Sequence, residues 1–139
     1  MTMSNIGVLI EMEDQEIKAS NYGVLTAACS GGNAVALVFT ENGEAIKNDL
    51  EHFGAEKIVT MSAANPVKKA KLMAAAVKEF NLKALLGLSS ARGRDLLSRC
   101  ACILDAPLAL DAIKADLADG MVVKSHFSGK TTAAIQLSA

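Results

Sequence analysis

Aromatic side chains are nearly missing from this 139-residue chain, which has no Trp, a single Tyr (Tyr22) and four Phe. A core without them is filled by Ala, Val, Leu and Ile, and such small side chains suit helices packed closely on a sheet. Long apolar runs are missing too. None reaches the roughly 20 residues a membrane helix needs, so no membrane partner is expected. Neither sign of charge dominates. A formal net charge of −1 excludes the massed positive surface from which nucleic-acid affinity mainly comes. The amino terminus has no basic region followed by a cleavage pattern, which makes the cytoplasm the expected location. What the chain does have is 51% apolar residues, enough at this length for one domain with a real core and too little for two.

Three cysteines, Cys29, Cys100 and Cys102, cannot all pair within one chain. Cys100 and Cys102 lie two apart on an expected helix and so point away from each other. With only His52 and His126 to add, a zinc set is not available. All three are expected as small buried hydrophobes.

The apolar run Ile6–Ile10 has strand length and suits a parallel strand covered on both faces. An acidic turn from Glu11 to Glu16 follows, then a helix from about Lys18 to Ser30 with Tyr22, Leu25 and Cys29 on one face, ended by Gly31 and Gly32. Ala34–Phe39 is the second strand. Asn42 is placed to cap a helix carrying Ile46, Leu50 and Phe53, and Gly54 closes it. Lys57–Met61 is the third strand. Asn65 followed by Pro66 starts a third helix, which turns Val67, Ala70, Ala74 and Val77 inward. Lys68, Lys69, Lys71 and Lys78 then form a solvated face. Ala84–Leu88 is the fourth strand, with a fourth helix from about Arg94 to Leu104. Beyond Pro107, Leu108–Ile113 reads as a fifth strand or as a loop along the sheet. Met121–Phe127 and Thr131–Leu137 form a hairpin turning at Ser128–Lys130.

Four strand–helix units and a hairpin imply an α/β fold: a doubly wound, mainly parallel sheet of order 3-2-1-4-5 with a C-terminal antiparallel hairpin at its edge. Ligands of such sheets bind where strand order reverses, here between strands 1 and 4. One flanking loop holds Ser89, Ser90, Arg92, Gly93, Arg94 and Asp95. Every arginine of the chain, Arg92, Arg94 and Arg99, falls in or just after it, while all other basic residues are lysines. Guanidinium forks suit bidentate work, and a helix amino terminus beside them suits an anion. These residues are therefore the candidates for AMP or another nucleotide. The opposite loop disagrees, with Glu11, Glu13, Asp14 and Glu16 and no glycine, where a phosphate cradle needs backbone N–H groups to approach. Three outcomes stand open: a closed, salt-bridged switch point, an anion site, or a protein-docking surface. At least one arginine is expected to pair with a carboxylate such as Glu11 or Asp95.

Other features imitate chemistry. Ser128–Thr132 looks like the tail of a Walker A loop, but the first glycine of that motif would fall at Lys124, and the segment lies in a hairpin. No G-x-S-x-G elbow occurs. His126 is a plain strand residue with no evident carboxylate partner, and His52 sits at a helix end, where an imidazolium would suit the dipole. No catalytic residue and no metal site are read from the sequence.

The segment Gly93-Arg94-Asp95-Leu96, with Arg99, Cys100, Ala101 and Leu104 behind it, resembles the G-R-D-L-x-x-R-L-A-x-x-L pattern of the N-terminal domain of electron transfer flavoprotein alpha subunits. Leu97-Ser98 replaces that family's usual Ala-Pro. Asp111 matches the aspartate of its next segment. Val122–Lys130 is similar to its V-V-x-R-P-x-Y-G-G-K hairpin, with Lys124 for Arg, Phe127 for Tyr and Ser128 for Gly. The Ile10-Glu11 strand end, Lys18-Ala-Ser20 and Phe53–Lys57 also fit.

The resemblance implies a flavoprotein component of electron transport rather than an enzyme, in a fold related to adenine-nucleotide-binding α/β proteins. It implies a heterodimer with a beta subunit, whose N-terminal domain joins this one in a base. An FAD on a second alpha domain would carry electrons from dehydrogenases to a quinone reductase or another acceptor. AMP goes with the beta subunit. Residues 1–139 correspond to the N-terminal-type domain alone. The family's FAD-binding domain would follow Ala139, so FAD is not expected on this chain by itself and no FAD-contacting residue carries over. For a stand-alone chain, the exposed hairpin edge would permit a homodimer.

Overall fold

In the computed structural model, residues 4–117, 120–126 and 131–136 are described. The strands and helices follow one another as β1 (Asn5–Ile10), β2 (Met12–Glu13), β3 (Glu16–Ile17), α1 (Asn21–Gly31), β4 (Asn33–Phe39), α2 (Gly43–His52) and β5 (Ala55–Met61). Then come α3 (Pro66–Glu79), β6 (Leu82–Leu86), α4 (Ala91–Leu104), β7 (Ala112–Asp116), β8 (Met121–His126) and β9 (Thr131–Gln136). The four parallel strands lie in the order β5-β4-β1-β6. In chain order this is 3-2-1-4, as the alternation of strands and helices implies.

β1 and β4 lie in the middle of this sheet and are apolar almost throughout, since parallel strands covered on both faces have no solvent side. Alternate residues serve opposite layers. Ile6, Val8, Ile10, Ala34, Ala36 and Val38 meet Leu25 and Ala28 of α1 and Ile46 and Leu50 of α2. Leu9, Val35 and Leu37 face the other way, toward Met73, Ala74 and Ala76 of α3 and Cys100 of α4. Helices therefore flank both faces, α1 and α2 on one and α3 and α4 on the other. Gly32 joins α1 to β4 where a Cβ would run into the carbonyl oxygen of Ser4. Only glycine lets that backbone pass.

Several boundaries differ from expectation. α1 starts at Asn21 rather than Lys18, because the acidic turn is a small antiparallel hairpin, β2 with β3. Asp14 and Gln15, both at positive φ, make its turn. Asn42 makes no side-chain cap, whereas Asn65 accepts from the Lys68 N–H at 3.0 Å with Pro66 just inside the helix, as expected. Val67 is exposed, and Met73 and Ala76 take inward places not assigned to them. Of the cysteines, Cys100 is buried, Cys29 half-buried and Cys102 exposed.

The fifth strand is the main correction. Leu108–Ile113 does not add to the parallel sheet. The chain runs irregularly through Pro107, which has no N–H to donate, and bends at Asp111, φ 56°. It then enters β7, whose residues are all exposed. Lys114 and Asp116 would not suit a strand covered on both faces. β7 instead pairs with β8, and β8 with β9, in a separate three-stranded antiparallel sheet of order β7-β8-β9. The expected hairpin is thus present as β8 and β9, with a third strand beside it. Its turn, Ser128–Lys130, lies outside the described residues.

Candidate functional site

The order of the parallel strands reverses between β1 and β6, and the segments leaving their carboxyl ends meet there. Glu11 is the first residue past β1. Its backbone N–H donates to Asn21 Oδ1 at 2.9 Å, and its carbonyl accepts from Asn21 Nδ2 at 2.7 Å and from the Lys18 N–H at 3.1 Å. Asn21 Nδ2 also donates to the Lys18 carbonyl at 2.7 Å. Asn21 is fully buried, and a buried amide is tolerated only when its donors and acceptor are used. Here both ends of the amide close the loop from β1 to α1 onto itself.

That clasp holds the Glu11 side chain toward β6. Ser90 Oγ donates to Glu11 Oε1 at 2.5 Å, and Lys18 Nζ lies 3.1 Å from Glu11 Oε2. Ser90 is also the N-cap of α4. Its Oγ accepts from the Gly93 N–H at 3.0 Å, and its carbonyl from the Arg94 N–H at 2.9 Å. Gly93 is buried against the Leu88 carbonyl, where a Cβ would clash. One hydroxyl therefore starts a helix and ties it to the neighbouring loop. The Glu11 side chain is only 11% exposed. Burial pushes its carboxyl up, but the Ser90 bond, the Lys18 bond and charge, and the positive charge of Arg92 outweigh that. Its pKa lies below the ordinary carboxylate value.

The arginines divide. Arg99 Nε lies 3.0 Å from Asp95 Oδ1, one helical turn away, so the expected pairing with Asp95 is present. Arg94 reaches Asp111 at 3.7 Å, not Glu11. Both pairs are about half exposed. Arg92 adds to the field on Glu11 and lines a cleft of about 80 Å³ with Glu11, Met12, Phe39, Lys69 and Leu88. Small-molecule sites run to roughly 300–1,000 Å³. Lys69 lies over the Phe39 ring, 5.4 Å from its centroid. Of the candidates for an anion, Ser90 is engaged by Glu11, Arg92 and Gly93 reach the cleft, Ser89 is exposed, and Arg94 and Asp95 face carboxylate or arginine partners.

Sequence reasoning missed Asn21 and Lys18. A signal for Asn21 existed: it heads the apolar stripe continued by Leu25 and Ala28, and a polar residue in such a stripe needs an internal partner. No group of three or more His, Cys, Asp or Glu residues able to hold a metal occurs among the described residues, and no described helix is long and apolar enough to cross a membrane.

Comparison with known proteins accounts for this arrangement at the level of family. The chain is 28% identical over 143 residues to the electron transfer flavoprotein subunit alpha of Syntrophomonas wolfei subsp. wolfei, a match covering 97% of this chain and 45% of that protein. It is 29% identical over 135 residues to the electron transfer flavoprotein subunit alpha of Bacillus subtilis, covering 88% and 41%. The chain thus spans less than half the length of these relatives. Among solved structures, protein Rv1636 from Mycobacterium tuberculosis H37Rv is similar at 15% identity and a TM-score of 0.39, covering 79% of this chain and 95% of that one. The family model of the electron transfer flavoprotein domain matches residues 6–139, from β1 through β9. Since that match takes in both sheets, the Glu11 clasp and the arginine-bearing helix alike, the chain belongs to the electron transfer flavoprotein domain family.

Proposed function

We propose that this chain is an alpha-type N-terminal domain, 1–139, acting as a scaffold and subunit-interaction module in electron transfer. Its partner is a beta subunit of the same family. The electrons move through an FAD held elsewhere in the assembly, from dehydrogenases to a further acceptor, and this domain carries no active site of its own. The observation that carries the reading is the similarity to alpha subunits along nearly the whole chain. Glu11 supports it. An ionised carboxylate at the switch point opposes a phosphate about 5 Å away by roughly 1–3 kcal/mol, and the Ser90 hydroxyl proton is already given to it.

A second reading, adenine-nucleotide binding at the Ser89–Asp95 turn, draws on Arg92 and Lys69, which line one cleft beside the amino end of α4. The scaffold reading is tested by mixing the chain with an electron transfer flavoprotein beta subunit and measuring mass in solution. A one-to-one complex without flavin absorbance from this chain is expected. Persistent separation of the two chains, or a flavin spectrum from this chain alone, contradicts it.

A further inference from the structure

Exposed sheet edges are ready templates for pairing, and proteins guard them with charges, bulges or short strands. The edge strands of this fold differ in that respect. β5 carries Glu56 and Lys57, and β6 carries Lys83. β7 carries Lys114 and Asp116 and has a register irregularity between Ala112 and Lys114. Even the two-residue strands β2 and β3 contribute Glu13 and Glu16. β9 is the exception. Thr131-Thr-Ala-Ala-Ile-Gln136 has no charge and no proline, pairs with β8 in unbroken register over six positions, and has no strand on its other side among the described residues.

We propose that the outer edge of β9 pairs with β9 of a second copy of this chain, antiparallel, about a two-fold axis at Ala133 or Ala134. A two-fold perpendicular to the sheet keeps each residue on its own face, so the central residue meets itself and small alanines let the strands approach. With the axis at Ala134, Thr132 meets Gln136 twice, and polar side chains face each other at both ends. With it at Ala133, Thr131 meets Ile135 and Thr132 meets Ala134.

The second copy is favoured over a head-to-tail contact because the other strand edges of the chain are charged, and β7 is also irregular. Pairing β9 with β7 would set Lys114 and Asp116 against a neutral strand and leave an open series, whereas β9 with β9 closes. The three-stranded sheet then becomes six-stranded across the axis. This dimer is separate from pairing with a beta subunit, and neither depends on the other.

The test uses the whole chain and its mass by sedimentation equilibrium, with A134K and A134E. Ala134 stands opposite Val123 in the ladder, away from the register position of the buried Val122. The parent chain is expected at twice the chain mass. Each variant alone drops to the single mass, because like charges meet or lie diagonal across the axis. An equal mixture of the two returns to the double mass. The charge of β7 serves as the control, since K114E keeps the dimer. A monomeric parent, a dimer unchanged by either variant, or a mixture that stays monomeric while far-ultraviolet circular dichroism reports folded chains overturns the proposal.

Discussion

Glu11 and Asp111 are both carboxylates beside the first turns of α4, and each faces a cation. Glu11 meets Lys18 at 3.1 Å and Asp111 meets Arg94 at 3.7 Å. Their settings differ. Glu11 is held from behind by a fully buried Asn21 and from the front by the capping hydroxyl of Ser90, and little of its side chain sees water. Asp111 sits in a bent segment with more than half of its side chain in solvent. Charge–charge contacts at such exposure are worth about 0–1 kcal/mol, while buried hydrogen bonds lose their full value when one partner is removed. The same pair of residue types therefore builds a structural joint in one place and a surface ornament in the other.

The comparison is sharpest at Asn21. Asn21→Ala removes three hydrogen bonds from a site closed to water, and a loss of about 3 kcal/mol is expected in urea unfolding. A loss below 1 kcal/mol would mean that the loop from β1 to α1 closes without its clasp. Ser90→Ala comes next, at about 2 kcal/mol, because it strips the α4 cap and the shortest bond to Glu11 together. A double-mutant cycle with Glu11→Gln should return a coupling of about 1 kcal/mol or more; additivity would show the two residues to be independent.

Glu11→Gln alone is expected to cost about 1 kcal/mol at neutral pH, and acid changes it. The folded-state pKa of Glu11 lies below its ordinary value. Its contribution is therefore fully present above the ordinary carboxylate range and is lost as pH falls through the lowered folded value. Thermal melts of parent and variant should converge over that interval. A gap that widens on acidification would reverse the sign argued for Glu11. The smallest effect belongs to the exposed pairs: Arg94→Ala and Arg99→Ala should each stay within about 0.5 kcal/mol of the parent.

How far the chain itself announced this arrangement varies from residue to residue. The strands through Ile6–Ile10 and Ala34–Phe39 are legible because a strand covered on both faces is apolar without interruption. Asn65-Pro66 marks a helix start in two letters, and the structure has the cap. The closed switch point was one of three open outcomes, read from four carboxylates facing three arginines, but the partner of Glu11 was not foreseen. Attention went to the arginines, while Ser90 and Lys18 hold the carboxylate. A hydroxyl that is both cap and donor leaves no pattern in sequence, since Ser at that position reads only as a cap. The fate of Leu108–Ile113 was hidden for a different reason. A short apolar run fits a strand in either sheet, and only the positive φ at Asp111 and the ladder with β8 decide between them.

The claim that Glu11 closes the switch point is tested most directly by isothermal titration of the chain with AMP and ATP, beside Glu11→Gln. The account predicts no saturable heat from the parent at micromolar nucleotide. Micromolar binding by the parent, lost in Arg92→Ala, would contradict it and return the arginine turn to a phosphate-holding role.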